Sequence, residues 1–427
     1  MDKKVIQAGP MLNVYPDSIG ETLQGVDELL GLPILNRVFE SLYILPSIFN
    51  TDLDRGFSVI DYDINKEYAT EEDLMAIHNN GIDFKFDLIM NHASVLSKEF
   101  QDILKKGEKS LYTDFFINWN EFWQGHGQMT EEGYIQPQKE LIQDMYFRKP
   151  GLPILGVRMP DGKEVPYWNT FYQEVKYQPL DVQDLIGAMD IQYTTAEKIA
   201  DLVNSALDEG KKPVDVEFGD YSPYKESVVE LLEGGRRYLG QMDLNIQSPL
   251  VWEFYEETLK QLASYGARIV RLDAFAYASK EPGLRNFFNE PETWDILERL
   301  NDIAKKYDLI LLPEIHSKYE EKIHEKISKK GYLTYDFFLP GLLIDAFERQ
   351  TNEALIQWLD DLITKDIKTV NMLGCHDGIP LLDLKGLLTD EQIEALIDTV
   401  VARGGFVKDL HGEKISTIKS MLPILVH

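Results

Sequence analysis

The sequence predicts a parallel β/α barrel of the (β/α)8 or TIM type that lacks its eighth unit and carries a large subdomain after the third strand. Three observations support this fold class. Short β-forming apolar runs alternate with amphipathic helical patterns along most of the chain. No glycine-rich phosphate loop follows any run, which disfavours an open doubly wound sheet. A segment at 93–249 separates the third run from the fourth and is too long for a plain connection.

Seven runs have the length and composition of barrel strands. The helical patterns between them are clearest at 71–80, 251–266 and 293–307. No eighth unit follows the seventh run. The runs are MLNVYP (11–16), SLYILP (41–46), FKFDLIMN (84–91), ARIVRLD (267–273), LILLPE (309–314), YLTYDF (332–337) and TVNMLG (369–374).

These elements divide the chain into four predicted parts. Residues 1–92 form the first part of the barrel, and 250–414 form the second part. Residues 93–249 are an inserted subdomain over the barrel mouth, and 415–427 are a separate tail. Within the insertion, residues 174–240 have helical periodicity and many acidic residues, which is typical of a solvated helical elaboration.

Composition excludes several classes of function. The 427 residues include 72 acidic and 43 basic side chains, a formal charge of −29, which disfavours binding to nucleic acid or anionic membranes. No apolar stretch approaches the ~18 residues of a membrane span, and no apolar segment follows the first lysines, so a cytoplasmic location is expected. The single cysteine, Cys375, excludes an internal disulfide and a multi-cysteine metal site. Cys375 precedes His376, but adjacent strand residues point to opposite faces, so a small buried side chain is favoured over a Cys-His nucleophile.

Polar side chains collect where the apolar runs end, and barrel enzymes carry their chemistry at the carboxyl ends of strands. Each cluster alone is weak evidence, because an acid after a strand is commonly a helix cap or a turn residue. Together they predict one site at one barrel mouth. The clusters are DLIMNH (Asp87, Asn91, His92), RLDAFAYA (Arg271, Asp273, Tyr277), LLPEIH (Glu314, His316) and GCHDGIP (His376, Asp377).

Two carboxylates on neighbouring strands suit cleavage of a glycosidic bond with retention, which needs a nucleophile and an acid ~5 Å apart. Arg271 lies two residues before Asp273 on the same strand face, so we expect it to keep Asp273 ionised as the nucleophile. Glu314 would need a raised pKa to hold the acid proton. Asp377 is expected to stabilise positive charge in the transition state, and His376 to bind sugar hydroxyls.

The clusters, in this order and spacing, resemble the α-amylase superfamily, and the detail resembles its sucrose phosphorylase group. The similarity spans nearly the whole chain apart from about 174–240. The motifs are YPDS (15–18), LYILPSIF (42–49), DRGFSVIDY (54–62), NHASVLSKEFQD (91–102), KPGLP (149–153), WNTF (168–171), RLDAFAYASK (271–280), FFNEPETW (287–294), LPEIH (312–316), YDFFLP (335–340) and CHDGIPLLDLKGLL (375–388).

The resemblance implies an α-glucosyl phosphorylase that works by double displacement. Glucose would pass from sucrose or a related glucoside to Asp273, and inorganic phosphate would collect it as α-glucose 1-phosphate. Glu314 would be the acid/base and Asp377 the transition-state stabiliser. No cofactor or metal is implied, and the partners would be a small sugar and phosphate. Substrate-binding roles would fall to Asp54, Phe57, His92, Arg271, His316, His376 and Gln241.

One departure from the sucrose-specific pattern concerns the acceptor. Arg148 and Lys149 stand before PGLP where sucrose-specific members tend to have proline and arginine, and CHDGIP replaces THDGIG. A basic pair favours a phosphorylated or anionic acceptor, as in sucrose 6′-phosphate or glucosylglycerate phosphorylases. The alternative is a phosphate-attracting loop that serves the common reaction.

The chain end departs further from the resemblance. Residues 415–427 can be back-translated with chosen synonymous codons so that a one-base shift reads a family-like Y-Q-V-N segment, which predicts a frameshifted tail. A seven-unit barrel is expected to leave its first and seventh strands with unpaired edges and to lose activity. A hydrolase or transglucosylase with the same carboxylates, and a non-catalytic remnant, therefore stay open as alternatives.

Overall fold

Seven parallel strands form the framework of the computed structural model, which describes residues 9–410 and 413–419. Each overlaps one of the seven predicted runs, so the predicted series of strand and helix units is confirmed. The strands are β1 (Met11–Val14), β2 (Ser41–Ile44), β3 (Asp83–Ile89), β4 (Ala267–Asp273), β5 (Ile310–Pro313), β6 (Thr334–Asp336) and β7 (Thr369–Asn371).

The strands are ordered as in a barrel, with each strand beside its predecessor in this series. Strands β1 to β5 form one parallel sheet in chain order, and β6 pairs with β7 in parallel. Among the described residues no eighth parallel strand follows β7. No ladder joins β5 to β6, so β1, β5, β6 and β7 each have one hydrogen-bonded neighbour among these strands. The register places Asp87 of β3 opposite Arg271 of β4, which brings two charged residues to the same level of the barrel.

Eight helices in the described part of the chain connect these strands or follow the last of them. Thr70 begins the second helix with a capping box, because its side chain accepts from Asp73 N while the Asp73 carboxylate accepts from Thr70 N. Apolar positions of the helices face the strands, as at Leu259 and Leu300, which are fully buried. The helices are α1 (Leu23–Leu30), α2 (Glu71–Asn79), α3 (Pro249–Ser264), α4 (Glu292–Lys306), α5 (Ile323–Lys329), α6 (Leu339–Arg349), α7 (Glu353–Thr364) and α8 (Asp390–Ala402).

The segment after β3 contains short helices and hairpins. Its helices are Lys98–Lys106, Trp119–Phe122 and Lys139–Ile142. Its antiparallel pairs are Gly127–Met129 with Ile135–Pro137 and Ile154–Arg158 with Glu164–Trp168. Before this segment, Phe49–Leu53 pairs with Ser58–Ile64, and this hairpin carries the turn Asp54–Gly56.

Residues 172–241 form a second compact unit. Its three helices are Val182–Met189, Tyr193–Asp208 and Lys225–Gly234, and Gln173–Lys176 pairs antiparallel with the strand that begins at Arg237. Leu185, Ile199, Val203 and Val228 form its own apolar core. The helical character predicted for 174–240 is therefore present.

The chain after α8 forms antiparallel strands. Phe406–Leu410 pairs with Glu413–Lys419, which also pairs with Ile379–Pro380. The predicted tail at 415–427 thus lies within a strand as far as Lys419, and residues 420–427 lie outside the described residues. The frameshift stays a prediction. None of the helices in the described part of the chain is both long and apolar enough to cross a membrane.

Candidate active site

Arg271 is the centre of a buried cluster of charges at the carboxyl ends of β3, β4 and β5. Its Nη1 lies 2.6 Å from Oδ1 of Asp87 and 2.8 Å from Oδ1 of Asp273. Its Nη2 lies 2.6 Å from Oε1 of Glu314. One guanidinium therefore contacts three carboxylates, and the two predicted catalytic carboxylates face the same space.

Backbone geometry fixes these side chains. Arg271 and Asp273 are two apart on β4 and share a face, as their sequence spacing predicts. Glu314 follows β5 directly, and its N–H donates to Leu272 O across the sheet. Ala274 takes a left-handed conformation with φ 51°, and its N–H donates to Oε2 of Glu314 at 3.2 Å.

The pKa values of Asp273 and Glu314 are shifted in the directions opposite to those expected from the sequence. Burial raises the pKa of Asp273 well above its ordinary value, the Arg271 guanidinium opposes this, and the negative charges of Glu314 and Asp87 add to it. Burial also opposes ionisation of Glu314, but Arg271 and His316 together hold its pKa well below the ordinary value. Both shifts run opposite to the predicted directions, because Arg271 contacts both carboxylates rather than Asp273 alone, and the roles of nucleophile and acid stay predictions.

Asp377 lies in the loop after β7, beside His376. Oδ2 of Asp377 is 3.1 Å from Nε2 of His376, and the Asp377 side chain is 54% exposed. Its partial burial opposes ionisation, but the His376 contact lowers the pKa of Asp377 to about 2, so this carboxylate is ionised at neutral pH. The His376 ring stacks on Phe57 with centroids 4.7 Å apart. Phe57 also lies under Arg271, whose Cζ is 5.7 Å from its ring centroid.

A turn with left-handed backbone places Asp54 and Phe57. Asp54 and Arg55 have φ values of 54° and 47°, and Gly56 follows at 113°. A Cβ on Gly56 would meet Ser47 N at 2.3 Å, so the backbone approaches too closely for another residue. Nε2–H of His92 donates to Phe57 O at 2.9 Å, which links the residue after β3 to this turn. His92, Phe57 and His376 are thus brought together.

A buried polar network around Asp87 includes Tyr43, Lys85 and Tyr335, which were not predicted as functional. The Tyr43 hydroxyl donates to Asp87 at 2.9 and 3.0 Å, and the Lys85 ammonium lies 3.5 Å from the Tyr43 ring centroid and donates to the Tyr335 hydroxyl. Burial lowers the pKa of Lys85 to about 7. The available signal was the two charged residues, Lys85 and Asp87, at alternate positions of an otherwise apolar strand.

Asp383 is a second residue that sequence reasoning missed. Its Oδ2 lies 3.1 Å from Nδ1 of His316, whose Nε2 lies 3.4 Å from Oε1 of Glu314. Asp383 sits in the single turn Leu382–Leu384 and is buried. The only signal was an acid inside the apolar run IPLLDLKGLL.

Arg148 and Lys149, the two residues predicted to bind the sugar acceptor, lie in different environments. Cζ of Arg148 lies 5.3 Å from the Phe171 ring centroid, and Phe171 in turn packs on His92 at 4.9 Å. Nζ of Lys149 donates to Oδ1 of Asn169 at 2.6 Å and to Phe171 O at 3.3 Å. Burial lowers the pKa of Lys149 to about 8. Arg148 and Lys149 also line one cleft, together with Tyr146, Trp168, Tyr277 and Lys280.

Gln241 belongs to the second compact unit, where its Oε1 accepts from Tyr172 N at 3.1 Å. It is fully buried. Its predicted role toward the acceptor stays a prediction.

Two groups of side chains in the described part of the chain have the donors that a metal ion needs. They are Cys375 with His376 and Asp377, and His324 with Glu325 and Asp361. Lys365 already pairs with Glu325 at 2.8 Å and with Asp361 at 2.6 Å, which neutralises the second group. Burial raises the pKa of Cys375 to about 11, and its thiol donates to Gly378 O, which argues against a thiolate nucleophile.

The chain is similar to known proteins in sequence and in fold. Residues 15–144 match the family model for the alpha amylase catalytic domain. The chain is 48% identical to a sucrose 6(F)-phosphate phosphorylase from Ilumatobacter coccineus over 408 residues, 94% of this chain and 68% of the relative. It is 31% identical to a sucrose 6(F)-phosphate phosphorylase from Thermoanaerobacterium thermosaccharolyticum, over 94% of this chain and 67% of that protein.

A solved structure extends the similarity to three dimensions. It is a sucrose 6F-phosphate phosphorylase from Thermoanaerobacter thermosaccharolyticum, with TM-score 0.73 and 29% identity. The match covers 97% of this chain and 69% of that one. The chain therefore spans somewhat more than two thirds of the structure that it matches, and the barrel prediction is confirmed.

Proposed function

The chain belongs to the sucrose 6(F)-phosphate phosphorylase group of the α-amylase superfamily, and from this premise we propose that it is a retaining α-glucosyl phosphorylase. It would transfer glucose from a sucrose-type glucoside to inorganic phosphate and release α-glucose 1-phosphate. The observation that carries the proposal is the Arg271 guanidinium, which contacts Asp273 and Glu314 at 2.8 and 2.6 Å. Carboxylates that flank one small space suit the ~5 Å separation of a retaining pair.

Each carboxylate has a distinct role in this proposal. Asp273 reacts as the carboxylate, a form that its contact with Arg271 favours and burial opposes. Its Oδ attacks the anomeric carbon, the bond to the leaving oxygen breaks, and that oxygen takes a proton from Glu314. Phosphate then attacks the same carbon and expels Asp273, while Glu314 receives the proton of the attacking phosphate. Asp377 is ionised beside His376 and is positioned to stabilise the positive charge of the oxocarbenium-like transition state.

We propose sucrose 6′-phosphate as the glucosyl donor. The sugar that it releases, which is the acceptor in the reverse reaction, then carries a phosphate. The relatives at 48% and 31% identity are both named as sucrose 6(F)-phosphate phosphorylases. Arg148 supplies a permanent positive charge in the cleft that it lines with Tyr277. Lys149 is held by Asn169 and Phe171, so Arg148 is the better placed of the two for charge-assisted hydrogen bonds to a phosphate.

The test measures glucose 1-phosphate release from sucrose, sucrose 6′-phosphate and glucosylglycerate, with and without phosphate. Phosphate-dependent release that is fastest with sucrose 6′-phosphate is the expected result. Glucose release that does not depend on phosphate would support the hydrolase or transglucosylase alternative. Absence of turnover on all three donors would overturn the proposed activity.

A cytoplasmic location is part of the same proposal. Phosphorolysis retains the energy of the glycosidic bond as a sugar phosphate, and such a charged product is kept where it is consumed. Fractionation of the native host tests this location, and recovery of the protein outside the cytoplasm would contradict it.

A further inference from the structure

Lys85 is a buried amine beside the charged cluster around Arg271. It is 2% exposed, and it lies two residues before Asp87 on β3, so both side chains occupy the same face of that strand. Its Nζ donates to the Tyr335 hydroxyl on β6 and lies 3.5 Å from the Tyr43 ring centroid on β2. Two tyrosines from other strands therefore fix the amine on the face that carries Asp87.

Tyr43 and Asp87 connect Lys85 to Arg271. The Tyr43 hydroxyl donates to both carboxylate oxygens of Asp87, at 2.9 and 3.0 Å, while the Tyr43 ring faces the Lys85 ammonium. Oδ1 of Asp87 also contacts Nη1 of Arg271 at 2.6 Å. A positive charge on Lys85 therefore acts on a carboxylate that shares the guanidinium with Asp273.

Without Lys85, the reactive form of the proposed site would have an excess of negative charge. When Glu314 carries the acid proton, Asp87 and Asp273 remain as carboxylates. One guanidinium, that of Arg271, contacts both of them. Two buried carboxylates around one cation raise each other's pKa, because little water screens them. A second cation at Lys85 offsets this excess and favours the ionised form of both.

We propose that Lys85 is a positioning residue of the glucosyl transfer site, and that its ammonium is the second cation that offsets the carboxylate charge around Arg271 and favours the ionised nucleophile Asp273. The inference rests on the proposed role of Asp273 as nucleophile. Lys85 acts through Tyr43 and Asp87 rather than on the substrate itself.

The charge on Lys85 depends on pH. Burial lowers the pKa of Lys85 to about 7, although Asp87 opposes this, so the ammonium is present below pH 7 and is lost above it. The two tyrosines and the thiol near the amine stay uncharged in this range, because burial raises their pKa values. The titratable and charged groups that face the amine are Asp87 on β3, Tyr43 on β2, Arg271 on β4, Glu314 after β5, Tyr335 on β6 and Cys375 after β7.

The pH dependence of kcat/KM with a sucrose-type donor tests the inference, because its acid limb reports ionisation of the nucleophile. Lys85→Met removes the charge and keeps an unbranched side chain, so it should move the acid limb to higher pH by about half to one unit. The basic limb above pH 7 should stay in place, since the amine of the parent is already neutral there. Lys105→Met, at an exposed helical position, is the control and should leave both limbs unchanged.

Lys85→Gln separates the charge from the hydrogen bond. Glutamine is uncharged but keeps a donor for the Tyr335 hydroxyl, so it should move the acid limb as Lys85→Met does. Melting transitions close to the parental one show that both variants fold. A lower kcat/KM at every pH with both limbs in place would mean that Lys85 only packs the barrel, and this would overturn the inference. A shift with Lys85→Met but not with Lys85→Gln would assign the effect to the hydrogen bond and would also overturn it.

Binding of an iminosugar separates this inference from the proposed function. 1-Deoxynojirimycin is a glucose-shaped cation whose binding needs an ionised carboxylate but no turnover. Its affinity should fall at acidic pH, and the midpoint of that fall should be higher in Lys85→Met than in the parent by the same half to one unit, about as for kcat/KM.

The outcomes for the two proposals differ. Equal midpoints in Lys85→Met and parent would overturn the inference, while phosphorolysis by the parent would still support the proposed function. A parent that binds the iminosugar but releases no glucose 1-phosphate would contradict the proposed function, and a higher midpoint in Lys85→Met would still support the inference. A parent that neither binds nor reacts would contradict both.

Discussion

Arg271 and Glu314 are joined by a 2.6 Å contact between Nη2 and Oε1, while the other arm of the same guanidinium contacts Asp273. The cation is thus shared between the proposed nucleophile and the proposed acid. Since a carboxylate in contact with a guanidinium is a poor proton carrier, Arg271 makes the two carboxylates depend on each other and on their other neighbours.

Replacing Asp273 with asparagine should abolish glucosyl transfer. The amide cannot attack the anomeric carbon, so no covalent glucosyl-enzyme forms, and we expect a loss of about a thousand-fold or more. Glucose 1-phosphate release measures the loss, and mass spectrometry of chain mixed with donor detects the covalent adduct. A melting transition close to the parental one serves as the folding control. Phosphorolysis near the parental rate would remove Asp273 from the nucleophile role.

Replacing Glu314 with glutamine should produce a loss that depends on the leaving group. Transfer from a sucrose-type donor should fall steeply, because fructose leaves only when its oxygen is protonated. The first step with α-glucosyl fluoride should be largely spared. Pre-steady-state fluoride release measures that step alone. A similar decrease for both donors would contradict the acid role.

The lowered pKa of Lys85 predicts that the difference in stability between the parent and Lys85→Met depends on pH. Burial lowers its pKa from 10.5 to about 7, so the folded state disfavours the charged amine. The penalty is fully present below pH 7 and fades as pH rises from 7 to 10.5, where the unfolded chain also loses the proton. Lys85→Met lacks this penalty, so its free energy of unfolding relative to the parent should fall as pH increases from 7 to 10.

Urea denaturation at pH 7, 8.5 and 10 measures this difference. The expected change is on the order of a few kcal/mol across the range. Loss of the Lys85 contact with Tyr335 shifts the whole comparison by a constant amount and leaves its slope intact. Lys105→Met, at an exposed helical position, is the matched control and should show no such slope. A difference between Lys85→Met and parent that is constant with pH would contradict a lowered pKa.

The sequence was sufficient to predict the strands, since β4 and β5 are short apolar runs whose ends carry Asp273 and Glu314. Chain-order pairing of β1 to β5 follows from the right-handed βαβ connection, so the shared mouth could also be predicted. The directions of the pKa shifts at these carboxylates could not be predicted from the sequence. They depend on Arg271 contacting Glu314 across strands and on Asp383 meeting His316, 67 residues away in the chain, and periodicity contains no information on such contacts.

Arg148 should determine the preference for sucrose 6′-phosphate over plain sucrose. Charge-assisted hydrogen bonds to a phosphate are worth ~1.5–3 kcal/mol each, so Arg148→Gln should weaken use of sucrose 6′-phosphate about ten-fold or more. Use of plain sucrose should change little, because its fructose unit has no phosphate for Arg148 to contact. The ratio of kcat/KM for the two donors measures the preference. Lys163→Gln, an exposed lysine in the hairpin turn after Arg158, is the control. If the unmutated protein already has the higher kcat/KM for plain sucrose, the hypothesis is wrong.

Gly56→Ala should disturb the donor side of the site through the backbone alone. At φ 113° an alanine is strained, and its Cβ would meet Ser47 N at 2.3 Å, so the turn must move. Phe57 follows directly, and its carbonyl accepts from His92 while its ring stacks on His376. We therefore expect a loss of stability of about 1–3 kcal/mol together with a lower kcat/KM for every glucosyl donor.

Gly162→Ala is the matched control for the strain. Gly162 has φ 86°, but a Cβ there would have no atom within 4 Å, so the substitution strains the backbone without a clash. Denaturation and donor kinetics on both variants separate the two effects. Gly162→Ala should cost some stability and leave donor kinetics unchanged, whereas Gly56→Ala should affect both. Equal behaviour of the two variants would mean that the close approach to Ser47 does not hold Phe57 against His376.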